Sequence, residues 1–395
     1  CQPTPTPQPT PTQVSATPTL ARATSTPTGP VVKIAVHVAL TGEQRELGEA
    51  IRNAAQLAVK QNSKPISDLG YAVVVVPYDD QTKIETGVSN AKKLVADSDT
   101  MVVIGHLNSA VTFAALDIYR DANLALVSPA NTEPRLTARG LAVMNRVIGR
   151  DDMQGPAGAE LAAKEFKAKT AYVIYDQTSF GTSAALGFKN RATQLGVNVV
   201  GFDALTDRNA LDAIGNAIKT ANPDLIYFSG LYDLAASFMK IIRAKGIKAN
   251  VLAPEIIDTA DFARLGGDDA VNVYYTTPVG QAANYPDADK FARDYRAEYG
   301  KNAEAYAAQA YDATNLALKA IALVMQGGKK PERKAIADAI RATKDYKGVT
   351  GTITFDANGD LTSAKYFFFQ VNSADPQKWL ENKLSKTLEL APTLP

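Results

Sequence analysis

Short, β-branched apolar runs alternate with stretches of helical period through most of this 395-residue chain, and that rhythm restricts the fold more than any single motif. "VVKIAVHVAL" follows Pro30, and "TGEQRELGEAIRNAAQLAVKQN" comes next with Leu47, Ile51, Ala54, Ala55 and Ala58 on one helical face. "YAVVVVPYDD" and "ETGVSNAKKLVAD" repeat the pair, and a strand is expected from about Ala142 to Val147. Continuous apolar strands alternating with helices predict a parallel sheet covered on both faces. A second round with the same grammar starts at Asp151, so the fold class expected is α/β, with two doubly wound parallel-sheet lobes. Past Gly280 the pattern is helical, over 287–299, 304–325 and 331–343. It closes on "GVTGTITFDANGDLTSAKYFFFQV", two strands expected to meet in a tight hairpin at Asn358-Gly359.

Within the first round, the stretch from Met101 to Pro134 suggests where a ligand would sit. It reads as strand, polar turn, helix opening near Ser109, strand (Leu124 to Val127) and a second polar turn at Ser128 to Glu133. If both strands are parallel, both turns lie at one sheet edge, where open α/β sheets bind ligands. Ser109 and Thr132 would then face one crevice, and the free N–H groups of a helix start there suit a carboxylate. The plainer reading makes Ser109 a helix cap and Thr132 a turn residue.

Composition removes several classes of function. Lys and Arg number 42 against 41 Asp and Glu, which argues against nucleic acid as the main partner. With one cysteine, Cys1, neither an internal disulfide nor a cysteine metal site is expected. No phosphate-loop, dinucleotide, nucleophile-elbow or zinc-protease motif occurs, and there are only two histidines, His37 and His106. Both are read as structural, and the chain is expected to be no enzyme and to use no cofactor and no metal.

A first residue of cysteine resembles a bacterial lipoprotein after removal of its signal peptide, which implies a diacylglyceryl membrane anchor on Cys1. In the segment that follows, 17 of 29 residues are Pro or Thr, a composition that cannot bury enough surface to fold. Residues 1–30 are therefore read as a disordered tether.

Three segments, "LTGEQRELGEAIRNAAQLAVKQN", "YDD…VVIGHLNSA…LVSPANTEPRLTARG" and "YDQTSFGTSAALGF…GIKANVLAPE", resemble the leucine/isoleucine/valine-binding proteins. These are type I periplasmic binding proteins, receptors of ABC importers. The resemblance covers residues 31 to about 375. It implies two lobes joined by a three-strand hinge, with 31–149 and 281–360 in the first and 150–280 and 361–390 in the second. It also implies a monomer outside the cytoplasm, lipid-anchored to the membrane or periplasmic, that delivers an α-amino acid to a membrane permease. The ligand carboxylate would be held by Ser109 and Thr132 in the SPANTEP turn with Asn131, and the ammonium by the Ala130 backbone and Glu255. Phe180 and Tyr232 would close over it from the second lobe. Leu47 stands where relatives often carry an aromatic, Phe180 where a tyrosine is common, and Asn108 where some members have a disulfide cysteine. The implied ligand is apolar or branched. Alternatives on the same fold are a ligand sensor, or a binder of amides, urea or aromatic acids.

Overall fold

The computed structural model describes residues 29–205 and 210–392, so Cys1 and the Pro/Thr-rich tether lie outside the described residues. Five parallel strands form the first sheet: β1 (Val31–Val38), β2 (Ala72–Asp79), β3 (Thr100–Gly105), β4 (Ala125–Ser128) and β5 (Met144–Arg146), in spatial order β2-β1-β3-β4-β5. Val32, Ile34, Ala35, Val36 and Val38 of β1 are all fully buried, so both faces of the strand are covered. That explains why its sequence is apolar without alternation.

Five more strands run parallel or pair in the second sheet: β6 (Thr170–Asp176), β7 (Asn198–Leu205), β8 (Leu225–Ser229), β9 (Asn250–Ala253) and β10 (Val273–Thr277). A short hairpin, β11 (Tyr346–Gly348) with β12 (Gly351–Ile353), stands apart. The chain then adds β13 (Ala364–Gln370) and β14 (Lys383–Leu390) antiparallel at the edge of the second sheet, giving the order β14-β13-β10-β9-β8-β6-β7.

Two expectations change here. The Asn358-Gly359 turn forms, closed by a bridge between Phe355 and Leu361, but it does not join two long paired strands. β12 pairs backwards with β11, whereas β13 leaves for β10 in the other sheet. The second sheet is consequently mixed, and β14 was not anticipated.

The chain thus passes between the sheets after β5, after β10 and before β13. Helix Ala307–Val324, past the second crossing, packs on helix Arg45–Asn62 and against β3 and β4. An ion cluster ties the first and third crossings. Fully buried Arg146 meets Asp360 at 2.6 Å, and Arg150 reaches the other oxygen of Asp360 at 2.9 Å. Tyr366 of β13 accepts a hydrogen bond from the Arg150 N–H and donates one to its carbonyl, both at 2.9 Å.

Candidate ligand-binding cleft

The parallel strands of the first sheet present two turns at their carboxyl ends. After β3, helix Ser109–Asp121 opens at the serine, preceded by Asn108, and no side chain caps its first turn. Its leading N–H groups therefore remain available to an anion. Asn108 is turned aside, its Nδ2 donating to Gln44 Oε1 at 2.8 Å. After β4, buried Ser128 folds the second turn by accepting from the N–H groups of Ala130 (3.3 Å) and Asn131 (2.9 Å).

Asn131 binds the two turns to each other. Its Nδ2 donates to the carbonyls of His106 (3.1 Å) and Leu107 (3.3 Å), and its Oδ1 accepts from Thr112 Oγ1 at 2.5 Å. The side chain is fully buried and its amide is engaged in holding the two turns together. Arg146 supports the same turn from below, donating to the carbonyls of Asn131 (2.9 Å) and Glu133 (3.0 Å). The Ala130 carbonyl receives no hydrogen bond among the described residues, which leaves it free to accept from a ligand.

The second turn adjoins a group of acids. Thr132 Oγ1 donates to Asp151 Oδ2 at 2.8 Å. A hydroxyl has one proton, so Thr132 can only accept from a ligand in this arrangement. The expected grip on a carboxylate would need that proton, which Asp151 already takes. Glu255 hydrogen-bonds Asp151, and Gln154 steadies both: its Oε1 accepts from the Glu255 N–H (2.9 Å) and its Nε2 donates to Asp151 (3.3 Å). Burial, and then the like charges of Asp151 and Asp258, hold the Glu255 carboxyl well above the ordinary carboxylate range. Burial raises Asp151 and Asp258 too. Burial and like charge thus make the ionised form of Glu255 costly as long as no cation stands beside it.

Phe180 and Tyr232 both stand at the first turn of a helix in the second lobe, after β6 and β8 respectively. Asp176 links their two loops, accepting from Thr178 N–H (3.1 Å) and from Leu231 N–H (3.2 Å). A Cβ on Gly181 would lie 2.1 Å from Asp176 Oδ1, so the glycine after Phe180 is needed for this link.

A cavity of about 710 Å³ holds Glu255, Asp258, Leu47 and Tyr306 together. Leu47 is placed there because its helix abuts the end of β1: a Cβ on Gly48 would lie 1.7 Å from the Ala39 carbonyl oxygen. Ser109, Thr132, Phe180 and Tyr232 do not line this cavity. Asp151, Asp258 and Tyr306 were missed by sequence reasoning. Asp258 had a signal, a second acid three residues after Glu255 in "PEIID", on one turn of the 3₁₀ segment Glu255–Ile257. Tyr306 had none, since it reaches the site from the late helical segment in a left-handed conformation (φ 68°).

The two histidines lie behind the first turn. His37, His106 and Asp80 are fully buried, with their ligand-type atoms within 4.8 Å of one another, the one such grouping among the described residues. Hydrogen bonds occupy them: Asp80 with His106 Nδ1 (3.4 Å), His106 Nε2 with the Tyr119 hydroxyl (3.2 Å), and that hydroxyl with His37 Nδ1 (2.9 Å). With Asp80 ionised, the chain runs from His37 N–H through Tyr119 to His106 and leaves His37 Nε2 without a partner.

Two α/β sheets exchanging strands through three crossings, with a ligand-sized cleft at the strand ends, define a two-lobed binding protein. Residues 31–376 match the family model described as periplasmic binding protein, and the chain belongs to that family. It is 30% identical over 340 residues to the Leu/Ile/Val-binding protein BraC3 of Rhizobium johnstonii, spanning 86% of this chain and 91% of that one. The leucine-, isoleucine-, valine-, threonine- and alanine-binding protein of Pseudomonas aeruginosa is 28% identical over 351 residues, 88% of this chain and 92% of its own. Among solved structures, a leucine-binding protein of Thermotoga maritima superposes with a TM-score of 0.68 at 27% identity, covering 90% of this chain and 98% of the other. Membership in a family of substrate-binding proteins places the chain among receptors and not enzymes.

Proposed function

We infer that this chain is the extracytoplasmic receptor of an ABC importer and closes its lobes on an α-amino acid. The observation that carries the reading is the pairing of opposite chemistries across the cleft. Uncapped N–H groups and Ser109 stand at the first turn, and the Thr132 oxygen of the second turn stands with Asp151 and Glu255. An α-carboxylate fits the first set and an α-ammonium the second, with the Ala130 carbonyl as a further acceptor. Burying either charge without such partners costs several kcal/mol. Phe180 and Tyr232 cover the ligand from the second lobe, and an aliphatic side chain, as bound by the relatives, lies towards Leu47 and Tyr306.

Closure excludes water and strengthens the charge contacts, while the three crossings serve as the hinge for release to a permease. No helix among the described residues is long and apolar enough to cross a membrane. A lipid on Cys1 would supply the attachment. Isothermal titration of the purified protein with the twenty amino acids tests the reading, with leucine, isoleucine or valine expected among the binders. Absence of binding by every one of them overturns it. Mass spectrometry of the N-terminal peptide from a membrane fraction tests the anchor separately, and a free, unmodified Cys1 there would refute it.

A further inference from the structure

The cavity that holds Glu255 is not lined by apolar groups alone. Leu47 and Tyr306 offer surface suited to methylenes, while Asp258, Tyr275, Trp379 and Glu304 are also on its wall. None of the described lining residues is Lys or Arg, so three carboxylates face the same space without a cation. Asp258 lines that space. Trp379 Nε1 donates to one of its oxygens at 2.8 Å, and the Tyr275 hydroxyl bonds it as well. These contacts fix the direction of the carboxylate and leave its charge unneutralised. The rings behind it are ordered, Trp379 on Tyr275 and Tyr275 on Phe369, each pair stacked with centroids 5.6 Å apart.

An oriented carboxylate without a countercharge attracts a cation. Asp258 caps the 3₁₀ turn Glu255–Ile257, its N–H donating to the Glu255 carbonyl at 2.7 Å, so the two acids stand one turn apart, on the order of 6 Å along the axis. A chain of three or four methylenes spans that separation. Closing the lobes over an aliphatic ligand would dehydrate Asp258 with no countercharge, whereas a ligand with a terminal cation would supply one.

We propose that this cavity is a second recognition subsite, which extends the ligand range from aliphatic amino acids to those with a long side chain ending in a cation. The proposal rests on the amino-acid reading above, with the α-ammonium at Glu255 and the distal cation at Asp258. The aliphatic stem lies along Leu47 and Tyr306, so leucine and a basic amino acid share the first contacts and differ only at the far end.

The test is titration calorimetry of the full chain with L-leucine, L-ornithine, L-lysine and L-arginine, repeated on Asp258→Asn. At least one basic amino acid is expected to bind the wild type within about tenfold of leucine, or more tightly. In Asp258→Asn the ratio of basic to leucine affinity is expected to fall at least tenfold. Should that variant not fold, Trp379→Phe, which removes the orienting donor, is expected to lower the same ratio by a smaller factor. Binding of leucine with none of the basic acids overturns the subsite and leaves the amino-acid reading intact. An unchanged ratio in a folded Asp258→Asn protein overturns it equally. Failure of all four ligands, together with the other amino acids, overturns both readings.

Discussion

Two groups of buried charges sit close together at the crossings, and they are built on opposite rules. Around Asp360, Arg146 and Arg150 bring two guanidinium groups to one carboxylate, and Asp152 pairs with Arg150 in turn. Charge is matched and nearly every donor has an acceptor in the backbone or a side chain. Around Glu255, three carboxylates stand together and only Arg146, at longer range, offsets one of them. A matched buried cluster holds a fold in one shape. An unmatched one has a cost that an incoming cation relieves, which suits it to a site.

The largest expected effect breaks the matched cluster. Arg146→Met leaves Asp360 short of one partner and strips the Asn131 and Glu133 carbonyls of theirs, so a loss of about 3–5 kcal/mol of stability is expected. Urea denaturation measures it, and a loss under about 1 kcal/mol would mean the cluster is not what fixes the crossings. Glu255→Gln addresses the unmatched cluster. It is expected to weaken amino-acid binding by about 2–4 kcal/mol, with stability of the ligand-free protein unchanged or improved because a buried acid beside Asp151 and Asp258 is replaced by a neutral amide. A stability loss comparable to that of the arginine variant would erase the distinction between the two clusters.

Much of this arrangement was legible in the sequence because strands that are buried on both faces must be apolar throughout. β1, β3 and β4 stand out for that reason, and with parallel pairing their following turns fall at one edge, where Ser109 does open its helix. What could not be read depends on contacts between segments distant in the chain. Asp151 looked like the first residue of a second round, since nothing local reveals that it faces Glu255 across 104 positions. Asn131 looked like a ligand contact in a polar turn, and only the packing of β3 beside β4 consumes its amide. The turn at Asn358-Gly359 was correctly placed because its chemistry is local, but the partner of β13 is decided by the crossing that follows.

Asn131→Ala sharpens the comparison on the first lobe, where polar groups are buried without charge. Its loss leaves two carbonyls and the Thr112 hydroxyl unpaired, so about 2 kcal/mol of destabilisation is expected, visible as a lower denaturation midpoint. Reduced affinity with undiminished stability would instead make Asn131 a direct ligand contact.

The smallest effect comes from the histidine pair, a third way of burying polar groups, in which charge is refused altogether. Burial, then the neighbouring His106, lowers His37 to about 2, against the opposing pull of Asp80 and Asp79, and burial lowers His106 to about 3. Both ordinary values are 6.5, so below that pH the unfolded chain takes up protons that the folded protein refuses. Stability from this source is therefore complete above 6.5 and falls as the pH drops towards the folded values. Glu255, Asp151 and Asp312 shift the other way and partly cancel it in the whole protein, Asp312 being raised to about 6 by burial. The comparison that isolates the effect is wild type against His37→Leu, unfolded in urea at pH 7.5 and pH 6. Between those two values the wild type is expected to lose somewhat under 1 kcal/mol more than the variant. An equal pH response of the two proteins would show that His37 is protonated in the folded state, with its unpartnered Nε2 carrying the proton.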